Sequence, residues 1–327
     1  MWYDLLSSLS GKPVFNSEDH VIVDGDEIYT PGYAPFVSAD LWQGAVHNRA
    51  DTNVWIWTRT TELNNHISGN INHRPDVLSA NSRMHLDINR LSREIAALQA
   101  KPENVGILYS LQSRIYEFPN THMYTVSETY RALTFAGERV KFFTENMIET
   151  NGIDENIKLL IIGNAQSTNP ETVKGIKSFI ERGGRVMVIG RLFEYDEHKK
   201  PLSNPEEVQF ILDNSVIVPS CNEEIKVNFD FDFYEYMANY LKETGIRNIE
   251  ILDAKTGKPL EKTEYSSGVI DGKTIINICN TDIDTVKEFK LLIDGKEPMN
   301  MTELRSGEKV GGVITLPSHT PMLIRVD

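Results

Sequence analysis

Between Glu103 and Gly190, short apolar runs alternate with stretches of helical spacing, and this alternation constrains the chain more than any other feature. "NVGILYS", "RVKFFTE", "IKLLIIGNA" and "RVMVIG" are near-continuous apolar runs, as strands covered on both faces must be. A helical stretch falls around 124–137. "NPETVKGIKSFIERGG" is a second, with Pro170 in its first turn and Gly183-Gly184 at its end. Parallel strands need a crossover between them, usually a helix, so the pattern predicts a three-layer α/β domain over 100–225, flavodoxin- or amidotransferase-like. "LYSLQSR", after the first strand, lacks G-x-G-x-x-G. No nucleotide site and no cofactor are therefore expected.

The segments on either side follow other periods. Residues 228–245 read as a helix stopped by Gly245, followed by short strands joined by "AKTGK", "IDGK", "IDGKE" and "RSGEK". Asp271-Gly272 and Asp294-Gly295 are hairpin signals. The span 226–327 is thus expected to be a linking helix and a small antiparallel β-sandwich. Residues 1–99 read as helix, strand, loop, helix, strand, loop, helix. Trp2, Leu5, Leu6 and Leu9 form a helical stripe before Gly11 and Pro13. A strand is expected over Pro13–Glu18, a helix over 38–48 with Ser38 as its cap, and a strand over 52–60. One long helix is expected through Met84, Ile88, Leu91, Ile95 and Leu98.

Composition narrows the partners. A net charge of −14 argues against nucleic acid and anionic membrane, which need clustered cations. No apolar run is long enough to span a bilayer, and "MWYDLLSSLSG" lacks the basic segment and apolar core of a secretory signal, so a cytoplasmic protein is expected. Cys221 and Cys279 have no metal-ligand spacing and read as buried thiols. A metal site from His66, His73 and His85 has no compact spacing either.

What remains is a neutral ligand. All four tryptophans, Trp2, Trp42, Trp55 and Trp57, lie in the first 57 residues, and five of the eight histidines lie between 20 and 85. Flat aromatic faces and neutral hydrogen-bonding groups suit a sugar, although any one of these tryptophans is equally at home in a core. In a (β/α)8 barrel the active site lies at the carboxyl ends of the strands. The first strand ends in Glu18, followed by Asp19 and His20; the second, along which Trp55, Trp57 and Arg59 share one face, ends in Trp57 and Arg59. Retaining glycosidases use two carboxyl groups about 5–5.5 Å apart, one of them kept ionised by donors and cations. Asn16, His20 and Arg59 are candidates for that role around Glu18. A tryptophan beside it would stack on the apolar face of a sugar ring.

"KPVFNSEDH", "WQGAVHNRADTNVWIWTR" and "DINRLSREIAALQAKPENVGILYS" resemble family 42 glycoside hydrolases, the β-galactosidase-like group of the (β/α)8 clan. The resemblance runs from the end of the catalytic barrel through the α/β domain to the β-sandwich. It implies that residues 1–99 are the last two βα units of the barrel. It implies that Glu18 is the nucleophile and Trp57 the aromatic of strand eight. Glu62 with His66, or His73, are candidates for the polar sugar contacts beyond that strand. The family's acid/base follows strand four, and two βα units cannot close a barrel. A second polypeptide segment supplying the rest of the barrel, an oligosaccharide or glycoside substrate and a homo-oligomer are the implied partners, and the isolated chain is expected to have little activity. The other function class is a non-catalytic assembly subunit of a carbohydrate-active complex.

Overall fold

A computed structural model describes residues 1–23, 29–57, 69–116, 121–218 and 231–327. Its first elements are α1 (Trp2–Ser10), β1 (Val14–His20), α2 (Ala34–Val46), β2 (Arg49–Trp55), α3 (Pro75–Arg90) and α4 (Ser92–Gln99). Then come β3 (Val105–Leu108), α5 (Leu111–Tyr116), α6 (Thr121–Phe135), β4 (Val140–Phe143), α7 (Glu145–Asn151), β5 (Leu159–Ser167), α8 (Pro170–Glu181), β6 (Arg185–Tyr195), α9 (Pro205–Asp213), β7 (Ser215–Val218) and α10 (Phe231–Glu243). The last strands are β8 (Ile249–Asp253), β9 (Thr263–Ile270), β10 (Lys273–Asn280), β11 (Lys287–Ile293), β12 (Met301–Glu303), β13 (Lys309–Val310), β14 (Ile314–Leu316) and β15 (Pro321–Val326).

These elements form two compact units, each from two separated stretches: Met1–Ser10 with Pro102–Asn248, and Gly11–Lys101 with Ile249–Asp327. The grouping departs from sequence order. The first helix joins the α/β unit, and so does α10, which the sequence reading assigned to the C-terminal part.

In the first unit a parallel sheet runs β4-β3-β5-β6-β7. Side chains alternate across it. Ile107, Leu159 and Ile161 join one apolar cluster with Val126, Leu133, Met237 and Leu241. Leu108, Leu160 and Ile162 join the other, with Ile148, Val173, Ile176 and Ile211. Period two thus covers both faces with helices, which is why the strands read as unbroken apolar runs. Each such fully buried side chain stabilises the fold by roughly 1.5–3 kcal/mol. Asn169 caps α8, its Oδ1 accepting from the Thr172 N–H at 2.9 Å, with Pro170 behind it. The strand β7 had no counterpart in the sequence reading. The helix α1 docks differently from its expected stripe. Leu5 is buried, and the buried Asp4 accepts from the Tyr130 hydroxyl at 2.5 Å. Trp2, Leu6 and Leu9 stay exposed.

The second unit opens with the parallel pair β1-β2 and holds two antiparallel sheets, β13-β12-β15-β10-β9 and β14-β11-β8. Ile275 of β10 points to the helices, clustering with Leu41, Trp42, Met84 and Leu98. Its neighbours Ile276 and Ile278 point to Phe289, Leu291 and Leu316 of the smaller sheet. Trp42 Nε1 donates to Asn277 Oδ1 at 2.7 Å, and His47, expected only to close its helix, pairs with Glu264 of β9. The Asp271-Gly272 turn takes left-handed φ values of 51° and 75° to join β9 to β10.

Four boundaries move. Pro35 starts α2, so Ser38 is not its cap and its hydroxyl instead donates to Ala34 O at 2.9 Å. The expected long helix breaks at Leu91 into α3 and α4. The first strand continues past Glu18 to His20, and the second runs Arg49–Trp55 rather than 52–60. Cys279 is buried and free, its thiol pushed up to about 12 by burial, while Cys221 lies outside the described residues. Among the described residues no helix is long and apolar enough to cross a membrane.

Candidate active site at the end of β1

The parallel pair slips twice, first between Val14 and Phe15 and again after Asn16. Asn16 faces Thr52, but the next partners are Asp19 with Val54 and His20 with Trp55. Three steps on β1 therefore match two on β2, which is a β-bulge at Ser17-Glu18. Asn16 Oδ1 accepts from the Glu18 N–H at 3.3 Å, using one backbone donor that the ladder leaves spare.

Glu18 and His20 are both exposed, with Glu18 Oε2 3.8 Å from His20 Nε2. The His20 ring stacks on Trp55, centroids 5.8 Å apart at 30°. The Trp55 Nε1–H is buried and has no hydrogen-bond acceptor among the described residues. A carboxylate, an imidazole, an aromatic face and an orphaned donor thus converge at one strand end. They can hold a hydroxyl-rich ring: the face stacks, the imidazole and the indole N–H hydrogen-bond, and the carboxylate is left to react.

Asp19 does the opposite of Glu18. It is buried, accepting from Arg49 Nη1 at 2.5 Å and Thr52 Oγ1 at 2.7 Å. Asp40 Oδ2 approaches the same guanidinium at 3.5 Å. Burial, then the nearby charge of Asp19, pushes the Asp40 carboxyl above its ordinary range. Asp19 is therefore committed to structure and is no partner acid for Glu18. Sequence reasoning passed over Arg49, which opens β2.

Of the other candidates, Trp57 and His73 lie among the described residues. Trp57 is exposed two residues beyond the strand, its carbonyl accepting from the Asn72 N–H at 3.1 Å. Trp55, not Trp57, is the residue at the strand end. His73 is exposed in the turn before α3. Arg59, Glu62 and His66 lie outside the described residues. Among the described residues no group of three or more His, Cys, Asp or Glu side chains is arranged to hold a metal ion.

No family model and no curated protein matches the sequence. Solved structures do. The exo-carrageenase GH42 of Bacteroides ovatus is similar at a TM-score of 0.78 and 19% identity, over 99% of this chain and 43% of its own. Gan42B, a GH42 β-galactosidase from G. stearothermophilus, matches at 0.72 and 12%, over 99% of this chain and 55% of its own. The β-galactosidase of Rahnella sp. R3 matches at 0.71 and 14%, over 100% and 57%. The fold is GH42-like. At these identities the likeness is one of fold, and this GH42-like chain spans about half the length of the structures it matches.

Proposed function

We propose that this chain is the part of a retaining glycoside hydrolase that contributes the nucleophile, Glu18. The observation that supports it best is the bulged end of β1, where Glu18 is exposed beside His20 and Trp55 while its neighbour Asp19 is buried. In this reading β1 and β2 are the last two strands of a (β/α)8 barrel, and the two antiparallel sheets form a sandwich. Glu18 attacks the anomeric carbon to give a glycosyl-enzyme, and an acid/base from another polypeptide segment protonates the leaving oxygen and then activates water. Trp55 and Trp57 are the stacking surfaces, and His20, Arg59, Glu62, His66 and His73 the polar contacts. The exposed Phe15 on β1 supports a further segment covering apolar surface here. Oligosaccharides and glycosides are the substrate class, with aryl β-galactosides the first to assay because β-galactosidases stand among the matched structures. A homo-oligomer belongs to the same reading.

The test is to express the chain with the polypeptide encoded directly upstream and purify the complex by native mass spectrometry. A fixed-ratio complex that hydrolyses aryl glycosides is expected. Glu18→Gln should abolish turnover, and azide should rescue Glu18→Gly with a glycosyl azide product. Full turnover by Glu18→Gln would leave the chain as an assembly subunit instead.

A further inference from the structure

A bulge re-aims the side chain it displaces, and it lasts only if something holds the two strands out of step. Resting on the reading of Glu18 as nucleophile, we infer that Asp19, Thr52 and Arg49 form a clamp that fixes this bulge and thereby aims Glu18. They are positioning residues and do not touch the substrate.

The geometry is specific. Thr52 is the ladder partner of Asn16, before the slip, yet its hydroxyl donates to Asp19, after it, at 2.7 Å. That bond spans the extra residue and ties the two ends of the bulge together. Arg49 Nη1 donates to the same carboxylate oxygen at 2.5 Å. Its Nη2 donates to Leu41 O at 2.9 Å and Asp40 O at 3.3 Å, so the guanidinium links the bulge to the backbone of α2. The helix is shaped for it: a Cβ on Gly44 would lie 2.2 Å from Arg49 Cζ.

A buried carboxylate–guanidinium pair is a weak route to stability, because desolvation offsets most of the attraction and a packed apolar pair does as well. What it provides here is direction. Glu18 lies in the bulge and Asp19 closes it, so a shift of the Asp19 backbone moves the Glu18 carboxylate. A displacement near 1 Å at a reacting group costs about a hundredfold in rate.

Two measurements separate this clamp from the nucleophile reading beneath it. In the chain itself, amide hydrogen exchange from Glu18 to Val21 should quicken by about tenfold or more in Thr52→Val and stay near wild type in Thr52→Ser, because local opening becomes easier. Equal exchange in both variants overturns the clamp, whatever Glu18 does. In the assembled enzyme, Thr52→Val should lower kcat by about tenfold to a hundredfold with KM within about twofold, and Thr52→Ser should restore it. Unchanged kcat in Thr52→Val, with turnover abolished in Glu18→Gln, overturns the clamp and leaves the nucleophile standing. Full turnover in Glu18→Gln removes the nucleophile, and with it the aiming role. Should Thr52→Val fail to fold, Arg49→Lys takes its place in both measurements, with the same outcomes.

Discussion

The carboxyl ends of β1 and β5 both break register, between Asn16 and Asp19 in one strand and twice between Gly163 and Ser167 in the other. They are finished in opposite ways. At β1, Glu18 and His20 stand exposed. At β5, Ser167 is fully buried and its backbone is bonded on both sides, while its own Oγ has no partner among the described residues. Ser113 Oγ donates to Ser167 O at 2.8 Å and accepts from the Ser167 N–H at 3.0 Å. Ser110 Oγ donates to Glu145 at 2.5 Å. His122 accepts from the Ser110 N–H at 2.9 Å and faces Gly163 O at 2.7 Å. In open α/β sheets the crevice between strands such as β3 and β5, where the order reverses, is the usual ligand site. Here that crevice is plugged with hydroxyls. The sheet supplies a place for chemistry; the side chains decide whether it is used.

The comparison predicts that substitutions of the exposed groups at the open end change activity, and those of the buried groups at either end change stability. The largest effect is the loss of turnover in Glu18→Gln. Because the Glu18 side chain is 62% exposed, its unfolding free energy should stay within about 0.5 kcal/mol of wild type in urea titrations. A large destabilisation would break the comparison. Arg49→Met is next. It strands the buried Asp19 carboxylate and should cost about 3–5 kcal/mol in the same titration.

The pH dependence of the α/β unit follows in size. Burial holds the His122 imidazole down at about 4, against an ordinary 6.5. Below pH 6.5 the unfolded chain therefore takes up a proton that the folded protein refuses. The associated stability is complete above pH 6.5 and falls as the pH drops towards 4, by about 3 kcal/mol in all. Glu145, whose carboxyl burial pushes up, runs the other way and gains stability as the pH falls. Comparing pH 7 with pH 4.5 in wild type and His122→Gln isolates the histidine; an unchanged difference would count against a neutral buried His122. Smallest is Ser113→Ala, which removes both bonds to Ser167 and should cost about 1–3 kcal/mol with hydrolysis unaltered.

Much of this was readable in the sequence, for identifiable reasons. The unbroken apolar runs of β3, β5 and β6 follow from a sheet covered on both faces, and Asp271-Gly272 announces its turn through backbone sterics alone. Glu18 was visible because a carboxylate after "VFNS" breaks an apolar strand. Long-range partners were not readable. Asp4 is buried where Tyr130, 126 residues away, donates to it. The slip in β1 leaves no local sign, since its clamp comes from Arg49 and Thr52 on another strand. The end of β2 at Trp55 was missed because "WIWT" keeps period two beyond the last ladder partner.

Trp42 finds its hydrogen-bond partner 235 residues later in the chain. At synthesis rates of about 5–20 residues per second, roughly 10–50 s pass between the two. During that time the α/β stretch, Pro102–Asn248, can close on the helix made first. The helices that bear Leu41, Trp42 and Leu98 still wait for Ile275 and Leu323. A ribosome making this chain therefore displays these apolar helix faces until β10 and β15 have emerged. Holding chaperones should bind nascent chains that stop before β10 and release those that reach β15.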